Sequence, residues 1–178
     1  MAHPEATAAA VSATQASPGV LRLVGGFRER IEGILDESVQ GMQEEIPSYR
    51  SADPAMVESV REHVRLHFEA LMSSLSEDRP ITREDLLFVR PAATYRARSG
   101  VPLADFMHAF RIGQREIWRG LAAGVSDDET REAALSALGA LGSLESLESL
   151  ESLESLGSLG ALFSSREKRI LRRLCSSF

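Results

Sequence analysis

The chain has 178 residues, 43% of them apolar and 26% charged, and a net charge of −6. That is enough for one domain with a core and short for two, and the acidic balance argues against a general nucleic-acid binder. The single cysteine, Cys175, excludes an internal disulfide and fits a reducing cytoplasm. No apolar run is long enough to span a bilayer, so no membrane association is expected.

Residues 1–19 are rich in alanine and other small residues, and lack the basic start and leucine-rich segment of a secretory signal. They read as a disordered tail. From Val20 the pattern is helical, with Val24, Phe27, Ile31, Ile34, Leu35, Val39, Met42 and Ile46 at steps of three and four and one single step. This predicts one helix closed by Pro47, because a residue before proline is pushed out of the helical region. Asp53-Pro54 predicts the start of a second helix, an N-cap followed by proline at the first helical position. Its apolar face is Val57, Val60, Val64, Phe68, Leu71 and Leu75.

Residues 76–80 form a polar turn. Thr82 with Asp85 imitates a capping box for a third helix carrying Leu86, Val89, Ala93 and Ala97, which Pro91 should kink or break and Gly100 should stop. Val101-Pro102 opens a fourth helix with Leu103, Phe106, Met107, Phe110, Ile117 and Leu121 inward. Gly113 on or near that face would admit close approach of another helix. Ser126 and the acidic run 127–129 predict the start of a fifth, where negative charge suits exposed amides. No segment alternates with period two, so the fold class is all-α, an antiparallel helical bundle or globin-like packing with a C-terminal low-complexity helix. The expected organisation is a helical domain over 20–125, a connector over 126–163 and a basic helix over 164–178.

Inside the connector, Ser-Leu-Glu repeats four times over 143–154, and leucine recurs every third residue from Leu135 to Leu162. Three residues of α-helix turn through about 300°, so each leucine lags the last by about 60°. The leucines wind round the helix and fit neither period that a partner helix reads. The segment reads as a low-complexity spacer rather than a regular oligomerisation helix. Leucines left exposed on some sides favour self-association into a homodimer.

Few residues suggest chemistry. His63 and His67 lie four apart and could supply two metal ligands, but no third ligand is near and Glu62 precedes His63, so the two read as surface histidines. His108 would interest a haem-binding reading of a globin-like fold, yet one histidine on a helix reads as packed or surface-lying. Cys175, beside Arg172 and Arg173, reads as incidental. There is no phosphate-binding glycine loop, no paired catalytic carboxylates and no nucleophile motif. No catalytic residue, cofactor or metal site is therefore expected.

Residues 92–110 imitate a helix-turn-helix, with Tyr95, Val101 and Phe106 at core positions. Arg96 stands where a small residue should pack, and Ser99 where an apolar one is wanted. Arg111, Arg115 and Arg119 form an i, i+4, i+8 row, a candidate contact face for a partner.

GVPLADFMHAFRIGQREIWRGL, residues 100–121, resembles the signature helix of the N-terminal helical domain in actinobacterial PucR/CdaR-type transcriptional regulators, which is related to the N-terminal domain of RsbR-type stress co-antagonists. EEIPSY at 44–49 is similar to the element closing that family's first helix. SREKRILRRL at 165–174 is similar to the basic helix leading toward its next domain. The resemblance implies a helical regulatory input module, non-enzymatic, whose relatives have globin-like shape and bind no haem. It implies action through protein contact and dimers. Pro91 and the repeat depart from the family pattern, and a full regulator would continue beyond residue 178 into a DNA-binding domain. Two other readings stand beside this one: a small DNA binder using residues 92–110, and a globin-like cofactor sensor using His108.

Overall fold

Backbone amides at a helix start have no partner within the helix, and this chain supplies side chains for several of them. The Ser17 hydroxyl accepts from the Val20 amide at 3.3 Å, and the Asp53 carboxylate from the Met56 amide at 2.7 Å. The computed structural model describes residues 16–142, all-α throughout, with no strand among the described residues. The helices are α1 (Pro18–Arg28), α2 (Ile31–Glu45), α3 (Pro47–Arg50), α4 (Pro54–Ser76), α5 (Val89–Arg98) and α6 (Leu103–Ala122), with a 3₁₀ turn at Glu84–Leu86 before α5. A further helix, α7, covers 128–142. The long helix α2 packs against both α4 and α6.

Three local features differ from the sequence expectation. The single first helix is two, because the chain turns at Glu29–Arg30, where Arg30 adopts φ −102° and ψ 1°. Gly25 and Gly26 weaken the helix just before the turn. The turn lets Leu23, Val24 and Phe27 enter one half of the core while Leu35 and Met42 enter the other. Arg30 then fixes the turn by donating to the Gly120 carbonyl at 2.9 Å. Secondly, Pro18 and Gly19, read as the end of the tail, begin α1. A Cβ on Gly19 would lie 2.5 Å from the Glu129 carbonyl oxygen, so only glycine lets α1 meet the start of α7. Thirdly, Thr82 and Asp85 stand at a 3₁₀ turn rather than at the start of an α-helix: the Thr82 amide and hydroxyl donate to Asp85 at 2.8 and 2.9 Å. Pro91 falls in the first turn of α5, where a missing amide hydrogen costs little.

The packed core continues past residue 125. The Asp127 carboxylate accepts from the Thr130 amide at 2.8 Å to start α7. Ala133, Ala134, Ala137 and Leu141 are then buried against α1, α4 and α6. The three leucines of the period-three series that are described behave as a 60° lag requires: Leu141 is buried, whereas Leu135 and Leu138 are 62% and 40% exposed. The Ser-Leu-Glu copies, the basic segment 164–178, Cys175 and most of the tail lie outside the described residues.

Candidate functional site

α4 buries Val60, Val64, His67, Phe68 and Leu71. This stripe carries His67 inward, so the expectation of two surface histidines fails: His67 is 3% exposed and His63 is half-buried. The His67 Nδ1 lies 2.8 Å from the His63 carbonyl oxygen one turn back. A carbonyl only accepts, so Nδ1 carries the hydrogen. The two rings meet edge-on at 4.4 Å between centroids, and Phe88 closes over both at 5.5 and 4.8 Å. Among the described residues, no three histidine, cysteine or carboxylate side chains gather where they could hold a metal ion.

Arg96 reaches the same region from α5. It is 2% exposed, donates from Nη2 to the Ser59 carbonyl at 3.2 Å, and lies over the Phe106 ring at 5.6 Å from its centroid. The stem packs as an apolar chain while the planar head rests on an aromatic face. Arg96 therefore fills the space between α4, α5 and α6 that a helix-turn-helix gives to a small residue. Tyr95, expected in the core of such a motif, is 39% exposed, while Val101 and Phe106 are buried.

Between these residues lies a cavity of about 30 Å³. Met42, Val64, Phe110 and Ile117 form much of its apolar wall, and His63, His67, Arg96, Tyr49 and Gln114 bring polar groups to it. All of its lining is buried except His63 and Gln114, which mark the mouth. Gly113 also lines it, and a Cβ added there would meet Met42 and Val64 only at 3.7 Å, ordinary contact distance. The close helix approach anticipated at Gly113 occurs instead one heptad on: a Cβ on Gly120 would come within 2.4 Å of Ile34 and 2.9 Å of Phe27.

The arginine row runs along the outer side of α6. Arg111 is exposed and makes no ion pair with another described residue. Arg115 donates to Glu45 at 2.7 Å and to Glu116 at 2.8 Å, and Arg119 donates to Glu116 at 2.9 Å. Glu116 is 3% exposed, so its charge is held in the protein by these two guanidinium groups. The Arg115 hydrogen bond holds the Glu45 carboxyl below the usual carboxylate range, and Glu45 followed by Glu116 pushes the Arg115 pKa up. His108 projects outward beside Glu45 at 3.5 Å and does not line the cavity.

Sequence reasoning missed Arg96 and Glu116 as interior residues. Glu116 had a signal: on α6 it lies in register with Phe106, Ala109, Gly113 and Gly120, all inward.

The family model described as the RsbT co-antagonist protein rsbRD N-terminal domain matches residues 32–153, more than half of the chain. The chain belongs to this family of regulatory N-terminal domains. No curated protein and no solved structure matches it.

Proposed function

We propose that this chain is the signal-input domain of a PucR-type transcriptional regulator, a cytoplasmic, non-enzymatic module that works by protein contact. Family membership supports the regulatory role. The contact reading rests on one observation: Arg111, Arg115 and Arg119 stand in a row on the outer side of α6, whose opposite side is the centre of the bundle. Glu45 and Glu116 hold two of these side chains in place, which limits the entropy lost when an acidic partner docks. Self-association uses a different surface, the exposed Leu135 and Leu138 on α7.

The chain does not read DNA in this proposal. Buried Arg96 fills the position between the two helices that a helix-turn-helix gives to a small residue. Nor does a cofactor of haem size fit a cavity of about 30 Å³.

The test is sedimentation velocity of the full chain at micromolar concentration. A dimer is expected, and Leu135→Lys/Leu138→Lys should dissociate it. Reversing the whole arginine row is a poor probe, because it would surround buried Glu116 with like charge; Arg111→Glu alone leaves that network intact, and should leave the dimer unchanged. A monomeric wild-type chain would remove the self-association claim. Retention of a labelled duplex at physiological salt, lost in Arg111→Glu, would replace the proposal with a DNA-binding function.

A further inference from the structure

We infer that the groove beside α7 is the docking surface for the chain's own basic segment, residues 165–174, which packs there within the same molecule. The groove lies apart from the arginine row and from Leu135 and Leu138, and the inference stands independently of the function proposed above. Shape, charge and reach carry it.

The start of α1, the end of α4 and one side of α7 leave a trough between them. Its first part has a volume of about 440 Å³, with Gly19, Leu75 and Ala133 in its walls. A second part of about 280 Å³ continues past Ser136 to Ala140. The α7 side is thus made of small residues at helical steps, so another helix can come close to it. Charge names the occupant. Asp78, Glu129 and Glu132 edge the first part. Arg22 pairs with Glu129 at 2.8 Å, whereas Asp78 and Glu132 make no ion pair with another described residue. Arg79, in the second part, is already bonded to Glu77 and Asp85. Residues 165–174 carry five arginines and lysines against one glutamate, with Ile170, Leu171 and Leu174 among them, and complement an acidic edge around an apolar floor. The other end of the chain does not, since residues 1–15 contain no arginine or lysine. Reach is sufficient. The path from Gly142 back to Glu129 is about 20 Å along α7, and residues 143–164 span about 33 Å even if wholly helical. Gly157 and Gly160 supply points at which the chain can reverse.

The test uses the chain's single cysteine, Cys175, and its single lysine, Lys168, which lie beside and within the segment. A nitroxide on Cys175 of the isotope-labelled full chain should broaden the amide signals of Val20, Leu75, Ala133 and Ser136. Those of Met56 and Val101, in the other half of the core, should stay sharp. Carbodiimide should join Lys168 to Asp78, Glu129 or Glu132, as read by peptide mass spectrometry. Glu132→Arg combined with Asp78→Asn should remove most of the broadening and the cross-link. Both side chains are exposed, and asparagine tolerates the φ of +48° at position 78, so the fold is kept. Broadening that survives in this variant, or that falls on residues 143–154 instead of the groove, would overturn the inference. Equal broadening when nitroxide-bearing chains are mixed with isotope-labelled chains lacking the nitroxide would place a second copy in the groove and overturn docking within one molecule. No broadening at the groove would leave it to residues 1–15 or to a separate protein, and would overturn the inference as well.

Discussion

The middle and the C-terminal end of α6 meet the rest of the molecule in opposite ways. Around Gly120 the core is closed. Phe27 and Phe68 stack with centroids 3.9 Å apart, Ile34 and Phe27 press onto the glycine, and Arg30 bonds its carbonyl. Around Gly113, two turns earlier on the same side, the neighbours stand back and a cavity opens toward buried Arg96 and His67. The same residue type thus serves two purposes. One glycine permits a close helix crossing; the other leaves a volume. The void is therefore local, and the tight half supplies the stability against which it can be maintained.

Substitutions should separate the halves, and the largest effect belongs to the closed one. Phe68→Ala removes a ring that is 1% exposed, and should cost about 3–5 kcal/mol by urea unfolding. Gly120→Ala should cost about 1–3 kcal/mol through overpacking, despite the better helix propensity of alanine. Gly113→Ala should act in the other direction, stabilising by about 1 kcal/mol in the same assay. If Gly113→Ala destabilises as much as Gly120→Ala, the contrast between the two stretches of α6 is lost.

The smallest effect concerns the turn after α4, which borders the closed half. Arg79 donates to both Asp85 oxygens, at 2.7 and 2.9 Å. This, with hydrogen bonds from Thr82, holds the Asp85 pKa at about 2, below its ordinary 3.8. A carboxylate depressed in the folded state adds stability above its unfolded pKa, and that contribution fades as pH falls through the folded one. Asp85→Asn should therefore lower stability at neutral pH and flatten its decline between pH 3.8 and about 2, measured by urea midpoints across that range.

Much of the helical framework was legible in the sequence. Asp53-Pro54 announced α4, Gly100 with φ +82° ended α5, and the apolar faces of α4 and α6 point where their periodicity said. The break at Glu29–Arg30 was not legible, because the apolar residues on either side keep nearly helical spacing and the turn is fixed by distant Gly120. The open half was harder to read. Arginine is rarely interior, so Arg96 counted only against a DNA-binding motif, whereas its stem and head are satisfied by Phe106 and Ser59. His67 carried a usable signal: it shares a stripe with Val60, Val64, Phe68 and Leu71. The row at Arg111, Arg115 and Arg119 was visible as spacing, but its anchoring by Glu45 depends on how α2 lies against α6.

The most direct measurement of the contrast is amide and methyl chemical-shift mapping of the full chain under xenon pressure, since xenon enters small apolar voids and ignores closed packing. Saturable shifts are expected at Met42, Val64, Phe110 and Gly113, with Phe27, Ile34 and Gly120 unmoved. Shifts of equal size around Gly120, or none around Gly113, would contradict the division of the core into a closed half and an open one.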